Sequence, residues 1–203
     1  MTWSVLAADA PELASSSDLA VTRAQLAAAQ VAPGEPEDHR RFVDRFVQDH
    51  PDASVRSNQV GHLTGSALVV DAVGERTLLM LHRKLHRWFQ PGGHADGDTN
   101  LAAVALREAT EETGLEGLHV VVPAIDVDVH RVEPPSEAPH LHLDTRFLVI
   151  APDQAEEVPN EESLALRWVG PGELDDLDPP LDESTRRLVA RGLAVAREVL
   201  AGT

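Results

Sequence analysis

The spacing of apolar residues changes near residue 60, and this change separates two parts of the chain. In the first part, residues 37–50 carry apolar side chains at the i, i+1, i+4, i+5 spacing of an amphipathic helix, namely Phe42, Val43, Phe46 and Val47. Residues 18–31 have the composition of a second helix, and the turn-forming sequence Pro33-Gly34-Glu35-Pro36 separates the two. Residues 1–60 are therefore predicted to form a helical N-terminal extension.

After residue 60 the apolar residues come in short runs that are typical of strands. Runs at 64–71 and 76–82 flank Gly74-Glu75, which predicts a hairpin, and further strands are predicted at 118–132, 140–151 and 164–169. Helix formers at 100–113 and 181–201 predict two helices, the first ended by Gly114. Strands followed by helices predict an α/β domain over residues 61–203, with a mixed sheet between helices.

Composition and charge exclude several classes of protein. The chain has no Cys, which excludes a disulfide scaffold, an iron–sulfur cluster, a thiolate zinc site and a cysteine nucleophile. Its 17 basic and 34 acidic residues give a net charge of −17, which argues against nucleic-acid binding but not against a small phosphate-bearing ligand held through metal cations. No apolar run is long enough to span a membrane, and no basic residue precedes Arg23, so a cytoplasmic location is predicted.

Three glutamates lie near one face of the helix predicted at 100–113. Glu108, Glu111 and Glu112 have the i, i+3, i+4 spacing that brings side chains together. Glu108 and Glu112 repel each other, and the helix dipole disfavours anions in this last turn. A divalent cation turns both penalties into attractions, and carboxylate ligands suit Mg²⁺ or Mn²⁺. The simpler interpretation is a solvated acidic helix end.

The context of these glutamates resembles the signature of the Nudix hydrolases. That signature is Gly, five residues, Glu, seven residues, then Arg-Glu-apolar-any-Glu-Glu-any-Gly-apolar. It is matched here by Gly93, Arg107, Glu108, Ala109, Glu111, Glu112, Gly114 and Leu115. The preceding segment, Trp88 to Gly93, is similar to the W-x-x-P-G-G sequence common in the family. Thr99 replaces the first Glu of the signature, and Asp96 and Asp98 lie close enough in sequence to supply an acid after a small shift.

The resemblance implies a Nudix-like α/β/α sandwich and a metal-dependent hydrolase. Such an enzyme cleaves a pyrophosphate linkage in a nucleoside diphosphate linked to another moiety, so a small nucleotide is the expected partner. Divalent cations neutralise the phosphate oxygens and activate water in this chemistry. Glu108 and Glu112 are the expected ligands of Mg²⁺ or Mn²⁺, and Glu111 is a further ligand or the base that orients water. Arg107 is expected to hold a Glu, and Gly92-Gly93 to let the backbone approach the site.

Further candidates lie outside the signature, and for each an ordinary exposed strand or loop residue is the competing interpretation. Scarce basic residues cluster beside the glycines and are candidates for binding substrate phosphate, namely Arg83, Lys84 and Arg87. His94 follows the glycines and is a candidate substrate contact. Candidates for an additional acid or base are the loop residues Glu157 and Glu162 and the strand residue His142. His142 shares a strand face with His140 and Asp144.

Two alternatives to the hydrolase are considered. The first is a catalytically weak Nudix-fold module that binds a nucleotide or regulates without turnover, which only Thr99 supports. The second is the isopentenyl diphosphate isomerase branch of the fold, which the absence of Cys disfavours. The signature does not account for residues 1–60, which could cap the sheet, shape the substrate pocket or form a homodimer.

Overall fold

Eight strands form one mixed sheet in the computed structural model, which describes residues 2–134 and 138–202. The strands are β1 Ser4–Ala7, β2 Gly61–Val70, β3 Thr77–His82, β4 Trp88–Phe89, β5 Gly92–His94, β6 His119–Val132, β7 His140–Ile150 and β8 Ser163–Val169. The helices are α1 Leu19–Ala28, α2 Glu35–Asp49, α3 Leu101–Thr113 and α4 Glu183–Ala201, with short 3₁₀ turns at Pro11–Leu13 and Pro171–Asp176. The α/β class is therefore confirmed, and the elements predicted after residue 60 are found within a few residues of their expected ends.

The sheet order brings distant parts of the chain side by side. The order is β1-β6-β7-β2-β3-β4, with β5 paired to β2 and β8 paired to β3. Strands β2 and β7 run parallel, with His62 beside His142 and Thr64 beside Asp144. Strand β5 is antiparallel to β2 and pairs His94 with Thr64. Because side chains alternate between faces, these residues lie on one face of the sheet.

Helices cover both faces of the sheet. Helices α1, α2 and α3 pack on the face that contains Leu63 and Phe147, whereas α4 packs on the face that contains Leu68 and Leu148. Helix α3 lies very close to β2, because a Cβ atom on Gly65 would be 2.7 Å from the carbonyl oxygen of Leu101. This close approach puts α3 in contact with the glycines of β5.

The N-terminal segment is not wholly helical, and that prediction was wrong at its start. Residues Ser4–Ala7 form β1, which pairs antiparallel with β6 at the edge of the sheet. A strand of four residues is too short for periodicity to reveal, and its pairing with β6 decides its conformation. The two predicted helices are present as α1 and α2, and their side chains share a core with the sheet through Leu26 and Val43. A domain boundary at residue 60 stays a prediction.

Across residues 2–134 and 138–202, no helix has both the length and the apolar character needed to cross a membrane.

Candidate functional site

The glycines of β5 and the C-terminal half of α3 form the centre of the candidate site. The backbone N–H of Gly92 donates to Oε2 of Glu112 at 2.9 Å. A Cβ atom on Gly93 would overlap the carboxylate of Glu108, so glycine is needed for this approach. Both ends of helix α3 are defined by capping residues. Asn100 caps its first turn, and Gly114 ends the helix with a φ of 68°. The two halves of the signature thus meet in space.

Burial and like charge act together on the two glutamates, Glu108 and Glu112, which we call the glutamate site. Glu112 is 7% exposed. Burial raises its pKa to about 8, the N–H of Gly92 opposes the rise, and the charges of Glu108, Glu162 and Glu111 add to it. Burial also raises the pKa of Glu108, against the opposing effect of Arg107. Carboxylates crowded in this way fit a hard divalent cation, whose charge would add to that of Arg107.

Arg107 connects α3 to β5. Its guanidinium donates to Oε1 of Glu108 at 2.9 Å and to the backbone carbonyl of His94 at 3.3 Å. The expected role of Arg107, holding a glutamate, thus has a geometric counterpart, and the glutamate concerned is Glu108.

Two candidate loop acids lie in different surroundings. Glu162 is close enough to Glu112 to raise its pKa. Glu157 instead accepts a hydrogen bond from the indole N–H of Trp168 at 2.9 Å. Glu111 is exposed at the end of α3, and its backbone carbonyl accepts from the side chain of Asn160 at 3.4 Å. Glu162 is therefore the loop acid that lies beside the glutamate site.

The basic residues before β4 are exposed, and one of them has partners within the chain. Arg83 donates from Nε to the carbonyl of Glu161 at 2.8 Å and from a terminal nitrogen to the carbonyl of Ser163 at 3.0 Å. Arg83 thereby holds the loop that carries Glu162. Lys84 and Arg87 are exposed, so binding of substrate phosphate by this group stays a prediction.

Thr99 joins the signature to the N-terminal segment. It is fully buried, and its hydroxyl lies 2.8 Å from the carbonyl of Asp18, to which it donates. The neighbouring acids have other partners: Asp98 accepts from the backbone N–H of Ser16 at 3.1 Å, and Asp96 binds Arg56 through two hydrogen bonds of 2.7 Å. Thr99, at the position of the first signature Glu, thus bonds to the N-terminal segment, and replacement of that Glu by Asp96 or Asp98 stays a prediction.

A group of histidines lies on the α4 face of the sheet, next to β5. Nε2 of His94 is 3.3 Å from Nε2 of His142, and the ring of His62 packs against both, with centroids 4.8 and 5.2 Å away. His62 has no sequence signal, because only the parallel register of β2 and β7 brings it beside His142. Asp144, on the same strand face, accepts from Thr64 and Ser66 and pairs with Arg146, so it has a structural role.

The N-terminal segment also reaches the end of α3. A depression of about 350 Å³ lies between them. It is lined by Ala8, Leu13, Asp98, Ala103, Leu106, Arg107, Thr110 and Glu111. Six lining residues, including Arg107 and Glu111, lie within the signature, and the other wall is formed by Ala8 and Leu13 of the N-terminal segment.

The sequence matches the NUDIX domain family over residues 62–192, which is more than half of the chain. The chain belongs to the Nudix family. The matched Nudix region contains β2, the glycines and α3, so the geometry above is that of the family signature. The match begins after the N-terminal segment.

Individual Nudix relatives agree with the fold. A protein of Mycobacterium tuberculosis named "Putative 8-oxo-dGTP diphosphatase 3" is 34% identical over 112 residues, which are 51% of this chain and 49% of that protein. The chain thus spans about half the length of the curated relatives it matches. The Ap4A hydrolase of C. elegans superposes with a TM-score of 0.53 and 18% identity over 70% of this chain and 98% of that one. The dihydroneopterin triphosphate pyrophosphohydrolase of E. coli superposes with a TM-score of 0.50 and 17% identity, over 66% of this chain and 95% of that one. These two likenesses establish the α/β Nudix fold.

Proposed function

We propose that this Nudix protein is a metal-dependent pyrophosphohydrolase that cleaves the pyrophosphate linkage of a nucleoside diphosphate linked to another moiety. The observation that carries the proposal is the meeting of Glu108 and Glu112 at Gly92-Gly93, where a half-buried and a buried carboxylate lie together and Arg107 pairs with Glu108. The name of the M. tuberculosis relative, which refers to a nucleoside triphosphate, supports the substrate class.

The residues have distinct roles in this proposal. Glu108 and Glu112 hold Mg²⁺ or Mn²⁺, which when bound neutralises phosphate oxygens and lowers the pKa of water. Arg107 keeps the carboxylate of Glu108 turned toward the glycines. Glu111 is exposed, so its carboxylate can reach a water molecule and orient it or accept its proton. Glu162, beside Glu112, is a second candidate for that task.

Residues outside the signature supply the substrate contacts. The depression between the N-terminal segment and α3 borders Arg107 and Glu111, which supports a role for residues 1–60 in shaping the pocket. Lys84 and Arg87 are exposed cations in a strongly acidic protein, and we assign them to phosphate binding. A homodimer and a cytoplasmic location stay predictions.

A substrate screen tests the proposed function. Purified protein with Mg²⁺ is incubated with nucleoside triphosphates, ADP-ribose, NADH, sugar nucleotides and dinucleoside polyphosphates, and the products are separated by chromatography. We expect cleavage at a pyrophosphate linkage of at least one compound, loss of cleavage with a chelator, and recovery when Mg²⁺ is added back. Cleavage that survives chelation contradicts the metal-dependent assignment.

A binding module without turnover is the second candidate function. The observation that favours it is Thr99, which stands where the signature has a Glu and bonds to the N-terminal segment instead. Under this hypothesis the screened nucleotides bind to the protein, as measured by calorimetry, but are recovered intact. Turnover of a bound nucleotide excludes it.

A further inference from the structure

Three histidines from three different strands converge on the α4 face of the sheet. His62 belongs to β2, His94 to β5 and His142 to β7, and we call these residues the histidine cluster. One ring nitrogen from each can be chosen so that all three lie within 4.8 Å of one another. The convergence follows from pairing, because His142 is the neighbour of His62 on β7 and His94 is paired to Thr64, two residues further along β2.

The distances suit a tetrahedral metal ion. The Nε2 atoms of His94 and His142 are 3.3 Å apart. Two imidazole nitrogens that each lie 2.0–2.1 Å from a tetrahedral zinc ion are separated by about 3.3–3.4 Å. The widest separation within the cluster, up to 4.8 Å, has to shorten by about 1.4 Å to reach this geometry.

Metal binding requires neutral imidazole rings. The ordinary pKa of histidine is about 6.5, so near pH 7 most histidine rings are neutral and keep a nitrogen lone pair, which is the form that binds a metal ion.

Two further histidines pack against the cluster and have partners of their own. His130, whose ring centroid is 5.4 Å from that of His142, contacts Oδ2 of Asp128 through Nδ1 at 2.9 Å. His140 lies against His62 and contacts the carbonyl of Ala138 through Nδ1 at 2.8 Å. These contacts fix the rings of His130 and His140, which in turn pack against His142 and His62.

The charged groups around the cluster are paired with one another. The nearest charged groups on β6, β7 and α4 form what we call the aspartate–arginine network, which consists of Asp126, Asp128, Asp144, Arg146 and Arg187. Its three carboxylates outnumber its two guanidinium groups. On the β5 side Arg56 forms an ion pair with Asp96. Each of these guanidinium groups has a carboxylate partner, so a bound cation meets no unpaired positive charge among them.

We propose that His62, His94 and His142 form a binding site for a transition-metal ion of the Zn²⁺ type, with a fourth position open to water. The site is separate from the glutamate site. Gly93 faces Glu108 on α3, and the next residue, His94, projects to the opposite face of the sheet. The donors differ as well, because imidazole nitrogens select borderline ions such as Zn²⁺ while carboxylates select Mg²⁺. The ion can enter from the side of His94 and His142, which are only partly buried.

Zinc binding to tag-free, metal-free protein tests this proposal. Zn²⁺ is titrated in excess Mg²⁺, which saturates carboxylate sites, and binding is followed by calorimetry and by metal analysis after dialysis. We expect one tightly bound ion per chain and tetrahedral absorption bands when Co²⁺ replaces Zn²⁺. The variant with His94→Ala and His142→Ala should bind about 100-fold more weakly or worse. His119→Ala, which removes an exposed histidine on β6, should bind as the parent protein does.

Two further measurements distinguish the histidine cluster from the glutamate site and from a folding defect in the double histidine variant. Glu108→Gln with Glu112→Gln should retain the zinc ion, because that pair belongs to the other site. In the unaltered protein, the ring ¹⁵N signals of His62, His94 and His142 should shift on adding Zn²⁺, which requires no variant to fold. Unshifted ring signals, or equal zinc binding by the double histidine variant, overturn the proposal. Failure of the nucleotide screen leaves it unaffected, since its readout is metal binding.

Discussion

Two groups of buried carboxylates in this protein are held in opposite ways. In the aspartate–arginine network, all three carboxylates lie 2.7–3.1 Å from the guanidinium of Arg146. In the glutamate site, Oε2 of Glu112 has a backbone N–H for a partner and is surrounded by further acids. The network holds β6, β7 and α4 together with charges of its own. In the glutamate site Arg107 pairs with Glu108, and under the proposed function an external cation would balance the remaining charge.

The pKa values of the two groups reflect this difference. Burial alone raises the pKa of Asp128, but His130, Arg146 and Arg187 outweigh it and hold that pKa well below its usual value. Burial raises the pKa of Glu112 to about 8, and the main opposing effect is the hydrogen bond from the backbone N–H of Gly92. Burial is common to both, so the counter-charge decides whether a buried carboxylate stabilises the fold or stays available for binding.

The largest expected effect is the loss of the network's counter-charge. Arg146→Met should lower the free energy of unfolding by about 3–5 kcal/mol, because it leaves three buried carboxylates without their main partner. Urea denaturation measures the change. The control is Arg131→Ala, which breaks the exposed pair with Glu133 and should cost less than about 1 kcal/mol. Equal losses in the two variants contradict a compensating role for Arg146.

Removal of a carboxylate from the glutamate site should lower activity strongly without lowering the stability of the metal-free protein. Glu112→Gln or Glu108→Gln should lower turnover by about 100-fold or more, while the melting temperature of the metal-free protein stays the same or rises as like-charge repulsion is relieved. Steady-state kinetics and thermal melts measure both quantities. Glu116→Gln, an exposed acid just beyond the signature, is the matched control. Undiminished turnover in Glu112→Gln removes the metal-site assignment.

The two groups should also respond to pH with opposite signs. Because the pKa of Glu112 is raised to about 8 in the folded state, the metal-free folded protein binds the extra proton, and its stability falls as pH rises from about 4.5 to about 8. The pKa of Asp128 is lowered, so its contribution is present above the usual range of an Asp and is lost as pH falls below it. Thermal denaturation measured at a series of pH values tests both signs. Glu112→Gln should reduce the fall in stability toward about pH 8, and Asp128→Asn should reduce the loss of stability at acidic pH. A parent curve without a fall between about pH 5 and 8 contradicts the first sign.

The two loop acids should differ in their effect on catalysis. Glu162→Gln should lower kcat by about 10-fold with little change in KM, because a carboxylate directed at metal or water acts mainly in the transition state. Glu157→Gln is the matched control, and it should change kcat little because that carboxylate bonds to Trp168. Steady-state kinetics on the best substrate from the screen give kcat and KM for both variants. A larger loss in Glu157→Gln reverses the assignment.

The smallest expected effect concerns Thr99. Thr99→Val keeps the side-chain volume and removes the hydroxyl that bonds to Asp18, so it should cost about 1 kcal/mol of stability. Turnover should fall no more than about 3-fold, since Glu108 and Glu112 are untouched. Urea denaturation and kinetics separate the two outcomes. A loss of turnover comparable to that of Glu112→Gln means that Thr99 has a part in the reaction.

The sequence by itself determined the features that depend on neighbours in the chain. The signature from Gly93 to Leu115, the helix ended by Gly114 and the hairpin around Gly74 all arise within short segments, where spacing and turn residues decide the conformation. The glutamate site belongs with them, because one helix and the glycines just before it carry its groups.

Only the tertiary structure decided the features that depend on pairing between distant strands and segments. The strand β1 exists because it pairs with β6, and His62 joins His94 and His142 because β2 runs parallel to β7 in one particular register. The partners of Thr99 and Arg83 are likewise far away in the chain. Thr99 bonds to the N-terminal segment and Arg83 to the loop before β8, and the fold brings these segments together. A shift of register by one residue would turn each strand side chain to the other face, and neither periodicity nor composition records which register the sheet adopts.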